Sequence, residues 1–211
     1  MRVQNYRTQD TKERVLEAAG EVFAAHGFQD ATVRGICKKA GVNIAAINYH
    51  FRDKENLYLT TLRHCREISF EKYPIYPDTK ELEPPEERLK AFIHSFVFRV
   101  LEEGPASRFA KLVAREYVQP TKALDILVKE TIRPVFSRLS TIVRQLIGER
   151  ADDKRVQYCC MSIVSQFLFF LYARPVIKRL FGKASFKADE IAGIAEHITL
   201  FSLHAIRGPK R

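Results

Sequence analysis

Apolar residues recur along this chain at three- and four-residue spacing, and no long segment alternates as a strand would. The pattern predicts an all-α protein. Thr8 or Asp10 can cap a first helix whose stripe runs through Val15, Ala19, Val22, Phe23 and His26, with Gly27 as its stop. Thr32 caps a short helix from Val33 to Ala40 that ends at Gly41, and Asn43 caps another from Ile44 to about Phe51. Asp53 caps a fourth, which continues through Leu57, Leu62 and Cys65 to about Tyr73. Pro74, Pro77, Pro84 and Pro85 cannot lie in a helix interior and mark a loop of about ten residues. Further helices are expected from Pro85 to near Gly104, then over 106–118, 121–147, 153–173 and 187–206, with Gly148, Pro175 and Gly182 as punctuation and RGPKR as a basic tail.

Within this series, residues 32–54 read TVRGICKKAGVNIAAINYHFRDK, two short helices joined at Gly41-Val42. That is a helix-turn-helix, and its second helix is slim enough to enter a major groove. Ile36, Ala40, Val42, Ile47 and Phe51 would hold the pair together, which by subtraction leaves Asn43, Ile44, Ala45, Asn48 and Tyr49 facing outward. Ala45 and Ala46 keep the helix narrow, and Asn48 offers both a donor and an acceptor to a base edge.

The runs Thr32-Val33-Arg34-Gly35-Ile36, Ala40-Gly41-Val42, Ile47-Asn48-Tyr49-His50-Phe51 and Asp53-Lys54-Glu55-Asn56-Leu57 closely resemble the DNA-binding signature of the tetracycline-repressor (TetR) family. So does the Val22–Phe28 ending of the first helix, and the match covers about the first quarter of the chain. The resemblance implies that Thr32, Tyr49, His50 and Lys54 bind phosphates, and that Arg34 and the outward residues of the recognition helix approach bases. Cys37 stands where the family usually has alanine, and reads as packing. The family's remaining chain is an all-helical body that dimerises through its last two long helices and binds a small effector. Leu112-Val113-Ala114-Arg115-Glu116, Gln119-Pro120-Thr121 and Ala173-Arg174-Pro175-Val176-Ile177 resemble its CecR-like branch.

In the body, Phe92, Phe96, Phe109, Leu112 and Phe136 could wall an effector pocket or simply fill the core. Arg115 interrupts an apolar helix and could offer a carboxylate a positive fork, or pair with Glu116 as a structural ion pair; His94 and Arg99 give no ground for separating function from packing. Ile191, Ile194, Ala195, Ile198 and Ala205, with the Phe167–Leu171 run, are expected to form a two-fold seam between protomers. The segment from Val156 to Ala173 approaches the length of a membrane span, but Gln157, Ser162, Ser165 and Gln166 favour a buried helix, so no membrane association is expected.

Charge adds less than its size promises. The net is +10, which suits an anionic partner, yet residues 1–54 hold nine basic and six acidic groups and only +3 of it. Four cysteines and six histidines show no metal-ligand spacing, so no metal and no cofactor is expected, and no phosphate loop or nucleophile motif points to an enzyme or to catalytic residues. The polar, basic first ten residues lack the apolar run of a secretory leader, and a cytoplasmic location is expected. The expectation is therefore a homodimeric repressor: residues 1–54 bind a palindromic double-stranded operator, and residues 55–211 dimerise and take an unidentified small molecule that releases it. The competing reading is a helical small-molecule-binding protein without sequence-specific DNA binding.

Overall fold

The structure, a computed structural model, describes residues 2–75, 83–148, 150–182 and 185–208, with side chains from Asp10 onward. Most of the proline-bounded loop (76–82) and the end of the basic tail (209–211) lie outside the described residues. Those described form helices and connections, with no strand among them.

The first helix, α1 (Arg2–Asp30), starts well before the Thr8 or Asp10 expected to cap it, and it is broken at Gly27, whose φ of 76° and ψ of 177° are not helical. Helix α2 (Val33–Ala40) begins where the Thr32 hydroxyl accepts from Gly35 N at 3.0 Å. It ends on Gly41 in the left-handed region (φ 65°), and Arg14 Nη2 from α1 donates to Ala40 O at 2.7 Å, a cation on the helix's unpaired carbonyls. Asn43 Oδ1 caps α3 (Ile44–Phe51) and Asp53 Oδ1 caps α4 (Lys54–Lys72), at 3.0 and 2.8 Å. Between them Arg52 takes φ 67° and ψ −55°, and Asp53 N donates back to Phe51 O at 2.8 Å. This three-residue turn swings the chain from α3 into α4 at a strain of roughly 1–3 kcal/mol.

The body contains α5 (Pro85–Leu101), α6 (Pro105–Val118), α7 (Ala123–Leu127), α8 (Arg133–Ile147), α9 (Asp153–Tyr172), α10 (Arg174–Phe181) and α11 (Ala188–Arg207). The single helix expected over 121–147 is interrupted by a π-helical turn, Val128–Ile132, closed by Arg133 N donating to Val128 O. Pro134 explains it: with no N–H to offer the preceding turn, the backbone widens there instead of breaking. Helix α10 was not expected from the sequence. Pro175 sits in its first turn rather than ending a structure, and Gly182 (φ 78°) closes it.

Two apolar cores result. One gathers Val15, Phe23, Ile36, Ile47 and Phe51 with Leu57, Tyr58, Leu112 and Leu127, so the packing of the first three helices runs on into α4, α6 and α7. The other joins α5, α8, α9 and α11 through Phe92, Val97, Leu139, Ile163, Phe167 and Ile198. Phe70, on α4, packs against both.

This second core corrects the expected seam. Ile191, Ala195, Ile198 and Phe167 are buried within their own chain, because that stripe of α11 faces α5 and α9. Of the expected set Phe169 and Ala205 are exposed, and the other large apolar side chains most exposed on these two helices are Tyr158 and Met161 on α9 and Leu200 and Phe201 on α11. Among the described residues no single helix is long and apolar enough to cross a membrane. The pair α9–α10 has the length and composition only across a 72° bend, and α9 buries Val156, Cys160, Ile163 and Phe167 inside the protein.

Candidate nucleic-acid interface and effector cavity

Helix α3 divides its residues cleanly. Ile47 and Phe51 are buried against α1, α2 and α4, while Ile44, Ala45, Asn48 and Tyr49 are exposed, Tyr49 at 79%. Ile44 at 50% exposure and Tyr49 beside Asn48 give this outward face both apolar and polar groups to present to a partner. Asn43 spends Oδ1 on its cap, so its amide N–H2 is what it offers a phosphate or a base edge. Thr32 likewise accepts at its own cap, which leaves its hydroxyl proton for an outside acceptor. Arg34 is exposed at the start of α2, with no ion pair among the described residues. His50 is half-buried, its ring centroid 5.0 Å from that of Tyr49. Lys54 stands less free than the sequence implied. Its ammonium donates to Gln29 O at 3.1 Å and lies 4.7 Å from the centre of the Phe28 ring, so only its other N–H bonds remain for a phosphate.

The body holds a cavity of about 140 Å³ between the two cores, walled by residues of α4, α5, α6, the π-helical turn, α8 and α9. Phe92, Phe96, Phe109 and Phe136 line it as the sequence suggested. Thr131 and Ile132 reach it from the π-helical turn, whose wider backbone shapes that wall.

Two of the expected lining residues are elsewhere. Successive helical residues turn by about 100°, so Arg115 lies about 200° around α6 from Val113, which does face the cavity. Arg115 instead reaches α1, donating from Nε to Ala24 O at 3.4 Å and from Nη2 to Ala25 O. It does not pair with Glu116 either: that carboxylate, 1% exposed, accepts from Tyr58 Oη at 2.7 Å and from the backbone and hydroxyl of Thr121. Leu112, fully buried, belongs to the core shared with α1. The charged residue in the described cavity wall is Arg99, 4% exposed and set against the rings of Phe70 and Phe96, and Ser69 lines the same wall. Spacing could have found it, because 92, 96 and 99 follow each other on one face of α5.

Helix α6 therefore serves two masters. Phe109, Ala110, Val113 and Tyr117 line the cavity. Arg108, Leu112 and Arg115, at i, i+4 and i+7, face α1. The Arg108 guanidinium bonds the Glu17 carboxylate through Nη1 and Glu21 through Nη2, the latter at 2.9 Å. Burial raises the Glu17 pKa, but Arg108 and His64 outweigh it and hold the carboxyl below its usual range.

Comparison with known proteins agrees with this geometry. Residues 15–61 match the family described as "Bacterial regulatory proteins, tetR family", and residues 85–206 match "HTH-type transcriptional dual regulator CecR, C-terminal domain". The chain belongs to the TetR family. It is a DNA-binding transcriptional regulator with a body of the CecR type. The HTH-type transcriptional dual regulator CecR of Shigella flexneri is 26% identical over 90% of this chain and 89% of its own. Among solved structures, a TetR-like regulator from Rhodococcus sp. RHA1 superposes with a TM-score of 0.66 at 17% identity, covering 92% of this chain and 95% of that one. AibR, solved in complex with isovaleryl coenzyme A and operator DNA, gives 0.70 at 16% identity, over 90% and 97%.

The Arg108 clamp has a pH signature. Because the folded-state pKa of Glu17 lies below its ordinary 4.5, its stabilisation is complete above that value and is lost as pH falls through the folded pKa. Arg108→Ala is expected to lower the melting temperature at about pH 7, by an amount that shrinks as the pH falls through the folded pKa of Glu17. A loss that stays the same throughout an acid titration would assign Arg108 to packing alone.

Proposed function

We propose that this regulator is a homodimeric repressor that grips a palindromic operator through two copies of residues 1–54 and lets go when a small molecule enters the cavity of residues 55–211. Helix α6 is the observation that carries the reading: one of its faces is cavity wall, and the other is bonded to α1, against which the recognition helix is packed. A molecule that displaces α6 from inside must move Arg108, Leu112 and Arg115, and the head with them. Two recognition helices have to meet successive major grooves about 34 Å apart, so a small change in head separation weakens the fit. Ligand and operator then oppose each other reciprocally. The solved complex of AibR with an acyl-coenzyme A and operator DNA supports the plausibility of both partners on this fold.

In this reading Arg34, Asn43, Ile44, Ala45 and Asn48 approach base edges, while Thr32, Tyr49, His50 and the remaining N–H bonds of Lys54 hold phosphates. Asn48→Ala and Arg34→Ala should each narrow the preference for operator over random DNA by about 1–3 kcal/mol. Competition titrations in which both variants keep the full preference would remove these two residues as readers. A loss of all sequence preference in the unmutated protein would favour a ligand-binding protein without operator recognition.

The dimer reading rests on Tyr158, Met161, Phe169, Leu200 and Phe201, each 48–64% exposed and carried by adjacent helices α9 and α11. Large apolar side chains exposed together on two neighbouring helices are what an interface would cover. A second copy related by two-fold symmetry would cover it with the same pair of helices. Phe201→Asp should give a folded monomer by sedimentation, since the side chain is outside the chain's own core, whereas Ile198→Asp would unfold the chain. A Phe201→Asp variant that stays dimeric would place the seam elsewhere.

A further inference from the structure

The cavity is apolar on almost every side, yet it contains a guanidinium with no counter-charge. Arg99 is 4% exposed, and no carboxylate among the described residues pairs with it. Its Nε donates to Ser95 O and its Nη2 to Ser95 Oγ, both at 3.2 Å and both within its own helix. That uses two of its five N–H bonds. The Phe70 and Phe96 rings lie 4.6 and 4.2 Å from Cζ, so the cation rests against their π-faces. Rings attract the charge without neutralising it. Ser69, fully buried and also lining the cavity, has a hydroxyl with no hydrogen-bond partner among the described residues. Burying either group unpaired is unfavourable, and both lie in one apolar wall, where a single bound anion would satisfy them together.

We infer that the cavity takes a small monoanion with an apolar body, a carboxylate of the aryl or short-acyl type, whose head sits on the Arg99 guanidinium and accepts from the Ser69 hydroxyl. This rests on the cavity being the effector site. A carboxylate matches the planar fork and leaves an oxygen for the hydroxyl. A dianionic phosphate would bring one negative charge more than the site can balance. A sugar or base would leave its own polar groups unpaired against Phe92, Phe136, Phe167 and Leu171. The volume, close to the roughly 150 Å³ of cavities that accept benzene, suits a body of one ring or a few methylenes. Burial pushes the Arg99 pKa down to about 9, which leaves the group charged at neutral pH.

The test is titration calorimetry on the full chain without DNA, with 3-phenylpropionate and hexanoate as probes against 3-phenylpropionamide and hexanamide, their neutral isosteres. At least one acid should bind roughly tenfold or more tightly than its amide, the margin of a charge-assisted hydrogen bond. Arg99→Met should bring acid and amide to equal affinity. It should also raise the melting temperature of the ligand-free protein, because an unpaired buried charge has been replaced by an apolar chain of similar length. Should Arg99→Met not fold, Arg99→Lys keeps the charge without the fork and should reduce the acid's advantage. Amides that bind as well as the acids, no binding of either acid, or a preference that survives in Arg99→Met would overturn the assignment. A lower melting temperature in Arg99→Met with the preference unchanged would make Arg99 structural. None of these outcomes involves DNA, so the operator titrations decide the regulator reading separately.

Discussion

The contact between α6 and α1 ties the cavity wall directly to the head, beside the packing of α4 on α1 and α3. Near Gly27 the first helix runs out of N–H partners for its last carbonyls, and Arg115 supplies donors to two of them. A cation at a helix C-terminus also meets the negative end of its dipole. About two turns away on the same face, Arg108 holds Glu17 and Glu21, and Leu112 fills the space between. On this face the head is held by two guanidinium contacts and an apolar side chain, in addition to the core it shares with α4. Close packing on this face leaves α6 unable to shift alone.

The opposite face of α6 is under less constraint. A void beside Phe109, Ala110 and Val113 means that those residues lack packing partners on one side. The unpaired Arg99 and Ser69 add polar demand to the same space. A cavity lined this way offers interactions that an occupant can convert into differential binding of one head position over another. That differential is what an allosteric ligand requires; tight binding by itself shifts nothing.

Much of this was legible in the sequence, for physical reasons that differ by region. The head is a short-range problem: Thr32, Gly41, Asn43 and Asp53 each cap or stop a helix through atoms a few residues away, and the expected boundaries of α2 and α3 agree with those observed. The family signature in residues 32–57 and the all-helical class followed from the same local pattern. The body is a long-range problem. That Arg115 faces α1 while Arg99 faces the cavity depends on which side of each helix the neighbours occupy, and a single helix's periodicity does not say which apolar face meets which partner. The same ambiguity affected the expected seam: Ile191 and Ile198 of α11 face the chain's own core, while Phe201 and Ala205, also at helical spacing, face outward. Spacing alone does not tell the two faces apart. The π-helical turn before Pro134 was readable in principle, since a proline within an unbroken helical pattern has to be accommodated somehow.

The central claim is that filling the cavity moves the head through α6, and a side chain can stand in for the ligand. Ala110 lines the cavity from α6, so Ala110→Phe places a ring in the void without touching α1. Operator affinity would be measured for this variant, for Arg115→Ala and for the two combined, with dimerisation checked in each. The account predicts that Ala110→Phe weakens operator binding by about tenfold or more, and that the effect shrinks in the Arg115→Ala background because the transmitting contact is gone. Unchanged operator affinity in a folded, dimeric Ala110→Phe, or a loss of the same size with and without Arg115, would contradict it.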